Sequence, residues 1–108
     1  MTTISSHVLD AVAGAPAAGL ALALFRLDPT GRAEIVRSGV TDADGRVAGW
    51  ETGPGRHRLR FDTGAWFAGR DVVTFYPEVA VDFLVTNEAR CHVPLLLSPF
   101  AYSTYRGS

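Results

Sequence analysis

A chain of 108 residues and 11.6 kDa fits one domain, residues 1–108, and at that size about 65% of the unfolded surface is buried on folding. Hydrophobic residues at 47% against 19% charged exclude a disordered or acidic solvating segment, and a net charge of −1 leaves no basic face for nucleic acid or an anionic membrane. All ten basic residues are arginine, which excludes lysine chemistry, and the single cysteine, Cys91, excludes an internal disulfide and any multi-cysteine zinc site.

In chain order, short apolar runs alternate with turn residues. Strands are predicted over Thr3–Leu9, Leu20–Leu27, Ala33–Ser38, His57–Asp62, Val79–Thr86, Cys91–Ser98 and Ala101–Tyr105. Their breakers are Gly14-Ala15-Pro16, Asp28-Pro29-Thr30-Gly31, Asp42-Ala43-Asp44-Gly45, Gly53-Pro54-Gly55 and Ser98-Pro99. Thr63–Arg70 reads as one short helix, capped by Thr63 and docked by Trp66 and Phe67. The fold class is therefore all-β, a sandwich or barrel with one short helix. The longest uncharged stretch, Ala11–Phe25, is broken by Gly14, Pro16 and Gly19 and is too short to span a bilayer. With no basic residue before Arg26 to begin an export signal, a cytoplasmic protein with no membrane partner is expected.

Strand alternation assigns faces. On the first strand Ile4, Ser6 and Val8 share the core side, and Ser5, His7 and Leu9 the other. On Cys91–Ser98 the core side is Cys91, Val93, Leu95 and Leu97, so His92, Pro94, Leu96 and Ser98 point outward with His7. An outer face this apolar reads as one covered by another subunit. Pro94 lacks a ladder donor and suits an edge or a bulge.

Of the three histidines, His57 alternates with Leu59 and Phe61 and reads as a satisfied histidine at the core's edge, beside a solvated or salt-bridged edge carrying Arg58 and Arg60. His7 and His92 divide between function and interface structure. No HxH or HxxxH spacing and no carboxylate completes a metal site around them. Thr41-Asp42-Ala43-Asp44-Gly45-Arg46 fails as a calcium loop, because Val40 would occupy the first ligand position and no helices flank it. It reads instead as a turn in which the Asp side chains bond nearby backbone and Gly45 takes positive φ, followed by an Arg46 fork held with little freedom. The Tyr-rich ending reads from its residues alone as a closing edge strand with a tail, frayed or docked.

Four blocks together carry a family pattern: Ser5-Ser6-His7-Val8-Leu9-Asp10, Gly14-Ala15-Pro16-Ala17, Thr41-Asp42-Ala43-Asp44-Gly45-Arg46, and His92 to Ser108, HVPLLLSPFAYSTYRGS. In order and spacing they resemble the 5-hydroxyisourate hydrolases, the transthyretin-related family of purine catabolism, over essentially the whole chain. The terminal Tyr105-Arg106-Gly107-Ser108 resembles the tetrapeptide that separates these hydrolases from the transthyretin hormone carriers. The resemblance implies a sandwich of two four-stranded sheets, the eighth strand lying around residues 45–48. It also implies a homotetramer built as a dimer of dimers, with active sites at the dimer–dimer interface. It assigns catalysis to His7, Arg46 and His92, and pocket closure and substrate binding to Tyr105 and Ser108 with those three.

The implied reaction is hydrolysis of the small-molecule substrate 5-hydroxyisourate at its N1–C6 bond, with no cofactor. Neutral imidazole suits the proton transfer, and a guanidinium would keep it neutral and stabilise the tetrahedral intermediate. Which histidine is the base stays open, with His92 favoured. A transthyretin-like carrier and an adhesion module are the competing readings. The first has no use for an imidazole pair with an arginine, and the second would place its signature residues in loops.

Overall fold

Period-two apolar runs interrupted by glycine, proline and aspartate give strands and tight turns in the structure, a computed structural model describing residues 1–108. The strands are β1 (Thr2–Asp10), β2 (Ala15–Pro16), β3 (Ala21–Leu27), β4 (Ala33–Val40), β5 (Arg46–Thr52), β6 (Gly55–Phe61), β7 (Val79–Val85), β8 (Arg90–Leu97) and β9 (Tyr102–Thr104), with α1 (Thr63–Ala68) between β6 and β7. One sheet runs β4-β3-β6-β7, all antiparallel. The other runs β1-β8-β9, with β5 and the two-residue β2 both pairing along the free side of β1. The two-sheet sandwich with one short helix is as expected, and β2 is an addition to the four main strands of its sheet.

The pairing of β1 with β8 is parallel, in register from Thr3 with Arg90 to Asp10 with Leu97. This joins the two ends of the chain and sets Ser5 beside His92. The inward residues of both strands, Ile4, Ser6, Val8, Val93, Leu95 and Leu97, are buried against Leu22, Leu24, Leu59 and Phe61 of the facing sheet. Each such aliphatic side chain contributes about 1.5–3 kcal/mol by leaving water. On the open side of the sandwich the Trp50 indole lies against Gly39 of β4, so close that a methyl at Gly39 would sit 3.0 Å from the ring. Truncating Trp50 to alanine is expected to cost about 3–5 kcal/mol, read by denaturant unfolding.

Three local expectations are corrected. Thr63 does not cap α1: Asp62 precedes the helix without a side-chain cap bond, and the Thr63 hydroxyl is buried without a partner. What holds the helix is Trp66, whose Nε1–H donates to the Ala18 carbonyl at 2.8 Å while the Arg70 guanidinium stacks 3.7 Å above its ring. Arg58 is salt-bridged as expected, but the strand bearing it and Arg60, β6, is interior rather than an edge. Arg56 and Arg58 bridge to Asp82 at 3.0 and 2.6 Å, and Arg60 lies over the Phe25 ring. Pro94 is buried within the chain, so that position of the outer face needs no second subunit to cover it.

His57 is fully buried, as a satisfied histidine should be. Its Nδ1–H donates to the Gly55 carbonyl at 3.0 Å, and Nε2 accepts from the Thr52 hydroxyl at 2.8 Å. Burial, with Arg26 nearby, holds its pKa below the usual histidine value, against the backbone bond to Gly55. The unfolded chain takes up this proton below about pH 6.5, and the folded chain only at lower pH. Stability is therefore expected to fall as pH drops through that window. Thermal unfolding scanned from about pH 8 to about pH 5 reads the loss, and a flat Tm across the interval would contradict it.

Candidate active site

The site begins with a turn. Asp42 accepts at Oδ1 from the backbone N–H groups of Asp44 and Arg46, both at 2.9 Å, and its own backbone closes the loop with Gly45 and Arg46. Of the two aspartates it is Asp42 whose side chain bonds the turn's backbone, as expected for this turn chemistry. Gly45 sits at φ +75° against the Val8 carbonyl, leaving no room for a side chain. The turn delivers Arg46 to the first position of β5, directly opposite His7 of β1. The Asp44 carbonyl accepts from His7 Nε2–H at 2.9 Å. A carbonyl can only accept, so His7 carries its proton on Nε2, and Nδ1 holds the lone pair whenever the ring is neutral.

His92 comes from β8, with its Nδ1 2.8 Å from the Ser5 hydroxyl. The backbone of even-numbered β8 residues faces β9, since Ser98 N–H donates to Ala101 and the His92 carbonyl accepts from Gly107. Pro94 therefore lacks its donor on the β9 side, where the ladder breaks off after Thr104 and resumes only at Gly107. The Thr104 hydroxyl takes up the Pro94 carbonyl at 2.7 Å. The break frees Tyr105 and Arg106 from the sheet, and the Gly107–His92 bridge docks the tail again. A methyl on Gly107 would collide with the His92 ring. Gly107→Ala is accordingly expected to displace ring or tail and lower kcat about tenfold or more, with little change in Tm, because a small misplacement of a reacting group is costly.

Arg46, His92, Ser5 and Ser108 line one cleft of about 300 Å³ on the outer face of the β1-β5-β8 sheet. Both ion pairs of the chain end on Asp82, so the Arg46 guanidinium is not committed to a carboxylate. Burial lowers the His92 pKa first, then the charges of Arg46 and His7, against a hydrogen bond to the Ser5 backbone that raises it. His92 is thereby held neutral at physiological pH, with a free ring nitrogen able to take a proton.

His7 stands across the strand from Arg46 and close enough to act electrostatically on His92, although it does not line the cleft itself. Tyr105 is exposed and turned to a different cavity, of about 470 Å³, between β7 and the tail, where it meets Phe83, Cys91 and Arg106. The two cavities share His92. The chain thus gathers His92, Arg46 and Ser108, sets His7 beside them, and leaves Tyr105 on the far side of His92. Two residues escaped the sequence reading: Ser5, which holds His92, and Arg90, which lines the cleft two residues before it. Alternation alone would have put Arg90 on the His92 face. Nowhere does a group of three or more His, Cys, Asp or Glu side chains converge as metal ligands.

Known proteins supply the context. A 5-hydroxyisourate hydrolase of Mus musculus is 45% identical over 111 residues, spanning 97% of this chain and 94% of its own. The structure of Klebsiella pneumoniae 5-hydroxyisourate hydrolase superposes with a TM-score of 0.89 at 36% identity, covering 100% of this chain and 94% of that one. Sea bream transthyretin in complex with thyroxine superposes at 0.90 with 32% identity, covering 96% and 93%. The family model described as HIUase/Transthyretin matches residues 4–107. By that match and these identities, the chain belongs to the HIUase/transthyretin family.

Proposed function

We propose that this chain is an enzyme that hydrolyses 5-hydroxyisourate in urate degradation, opening the ring to 2-oxo-4-hydroxy-4-carboxy-5-ureidoimidazoline. The observation that carries the reading is the shared cleft, in which an uncommitted Arg46 lies beside an imidazole kept neutral partly by that same charge. The mouse and Klebsiella relatives are named for this reaction. In the tautomer the reaction requires, His92 Nδ1–H donates to Ser5 and Nε2 is the base. Water attacks C6 as Nε2 takes its proton, and Arg46 stabilises the oxyanion that forms. Collapse breaks the N1–C6 bond, and N1 leaves with a proton, either the one returned from His92 or one given up by Nδ1 of a protonated His7, in which case His92 passes the proton it took from water to solvent. Ser108 borders the substrate. Tyr105 closes the pocket by a movement about the freed 105–106 segment.

The fold superposes equally well on a thyroxine-bound transthyretin, and fold alone does not decide activity. A carrier has no need of a neutral imidazole beside an unpaired arginine. Supplying the purified protein with urate and urate oxidase tests the choice. Accelerated loss of the 5-hydroxyisourate absorbance is expected, and decay at the spontaneous rate would overturn it.

The working form in this proposal is a homotetramer, a dimer of dimers. Strands β7 and β9 are unpaired edges flanking the 470 Å³ cavity, and Leu84, Phe100 and Tyr102 are exposed; such edges and patches are usually covered in native proteins. Light scattering on the eluting protein should give about four times 11.6 kDa. A cytoplasmic setting belongs to the same proposal, supported by the unpaired thiol of Cys91. No helix is long and apolar enough to cross a membrane.

A further inference from the structure

Strand β5 contains an irregularity that the catalytic reading does not use. Along the pairing with β1, Arg46 faces His7 and Val47 faces Ser6, yet Trp50 faces Ile4. Two residues, Ala48 and Gly49, therefore oppose the single Ser5, and Gly49 takes φ +77°. This is a β-bulge with glycine in the left-handed position. Its effect follows from counting. In a regular strand Arg46 and Trp50, four apart, share a face. Here Trp50 is buried against Gly39 and Val47 packs on the core, while Arg46 is on the outer face in the cleft. The extra residue is what lets an inward tryptophan and an outward arginine coexist at this spacing. It also lies directly across from Ser5, the residue that holds His92.

We infer that Gly49 is a positioning residue, whose left-handed bulge aims the Arg46 guanidinium at the cleft. The inference rests on the proposed role of Arg46. Nothing lies within 4 Å of a β-carbon built on Gly49, so a substitution there meets no steric wall and acts through its backbone preference alone. Asparagine tolerates positive φ, whereas a β-branched residue does not. In Gly49→Val the strand is driven to a regular register with one residue too many. Large buried Trp50 keeps its place, and exposed Arg46 turns away.

The test compares four variants by kcat, KM, circular dichroism and tryptophan emission. Gly49→Asn should stay within a few-fold of the parent. Gly49→Val should lose about 10²-fold in kcat/KM, as removal of an oxyanion-stabilising group does, with tryptophan emission still that of a buried indole. Arg46→Gln should lose a similar factor. Combining Gly49→Val with deletion of Ala48 removes the surplus residue, returns Arg46 to the outer face of a regular strand, and should recover activity to within about tenfold. A general loss of stability would make the deletion worse, so this rescue separates positioning from structure. A Gly49→Val variant with parental kcat, or a folded double variant as inactive as the single one, overturns the inference. An active Arg46→Gln would instead sink the reading of Arg46 on which it rests. Should Gly49→Val alone not fold, the double variant still decides: folded and active supports the inference, folded and inactive refutes it.

Discussion

Replacing His92 with asparagine is expected to lower kcat by roughly 10²–10⁴, the range set by loss of a positioned general base, while the protein stays folded. Asparagine can still bond the Ser5 hydroxyl that now meets Nδ1 at 2.8 Å, and it keeps the ring's side of the Gly107 bridge, which is made by the backbone carbonyl. What it cannot do is accept a proton. The loss should therefore fall on kcat with KM little changed. In the parent, kcat/KM should fall on the acid side as His92 becomes protonated, at a pH below the usual imidazole value, because burial, Arg46 and His7 all disfavour its charge. The variant should lose that acid limb. Stopped-flow recording of ring-opening across pH reads both, and a His92→Asn enzyme with near-parental turnover would remove His92 from the proton-transfer step.

Much of this arrangement was legible because alternation is a robust code wherever a strand is regular. The inward set Ile4, Ser6, Val8, Val93, Leu95 and Leu97 and the outward His7 and His92 follow from period two alone, and they lie as expected. The code fails where backbone geometry intervenes. Strand β5 runs to Thr52, well beyond the brief strand expected around residues 45–48, because the Ala48-Gly49 bulge scrambles the alternation that would have announced it. β2 was invisible for a different reason: two residues including a proline carry no period.

Partners brought together by pairing between the chain's ends were equally hidden. Ser5 is 87 residues from His92, and only the parallel β1-β8 register makes it a neighbour. The tail was ambiguous in the sequence because its docking depends on one glycine lying over an imidazole, a contact with no composition signature.

Arg46→Gln should cost about 10²–10³ in kcat/KM, as removal of an oxyanion-hole donor does, and should also displace the pH profile. The guanidinium charge lowers the His92 pKa. Without it that pKa moves back up toward about 6.5, His92 is protonated over a wider range, and the acid limb shifts to higher pH. A merely structural effect of the substitution would scale the profile without moving it. Arg46→Lys separates the two duties of the side chain. Lysine keeps the charge, so the limb should stay near its parental position, but it lacks the planar fork that holds two acceptors at once, so kcat/KM should still fall. If the limb moves equally in both variants, the Arg46 charge is not what keeps His92 neutral, and the burial of the imidazole together with His7 has to account for it.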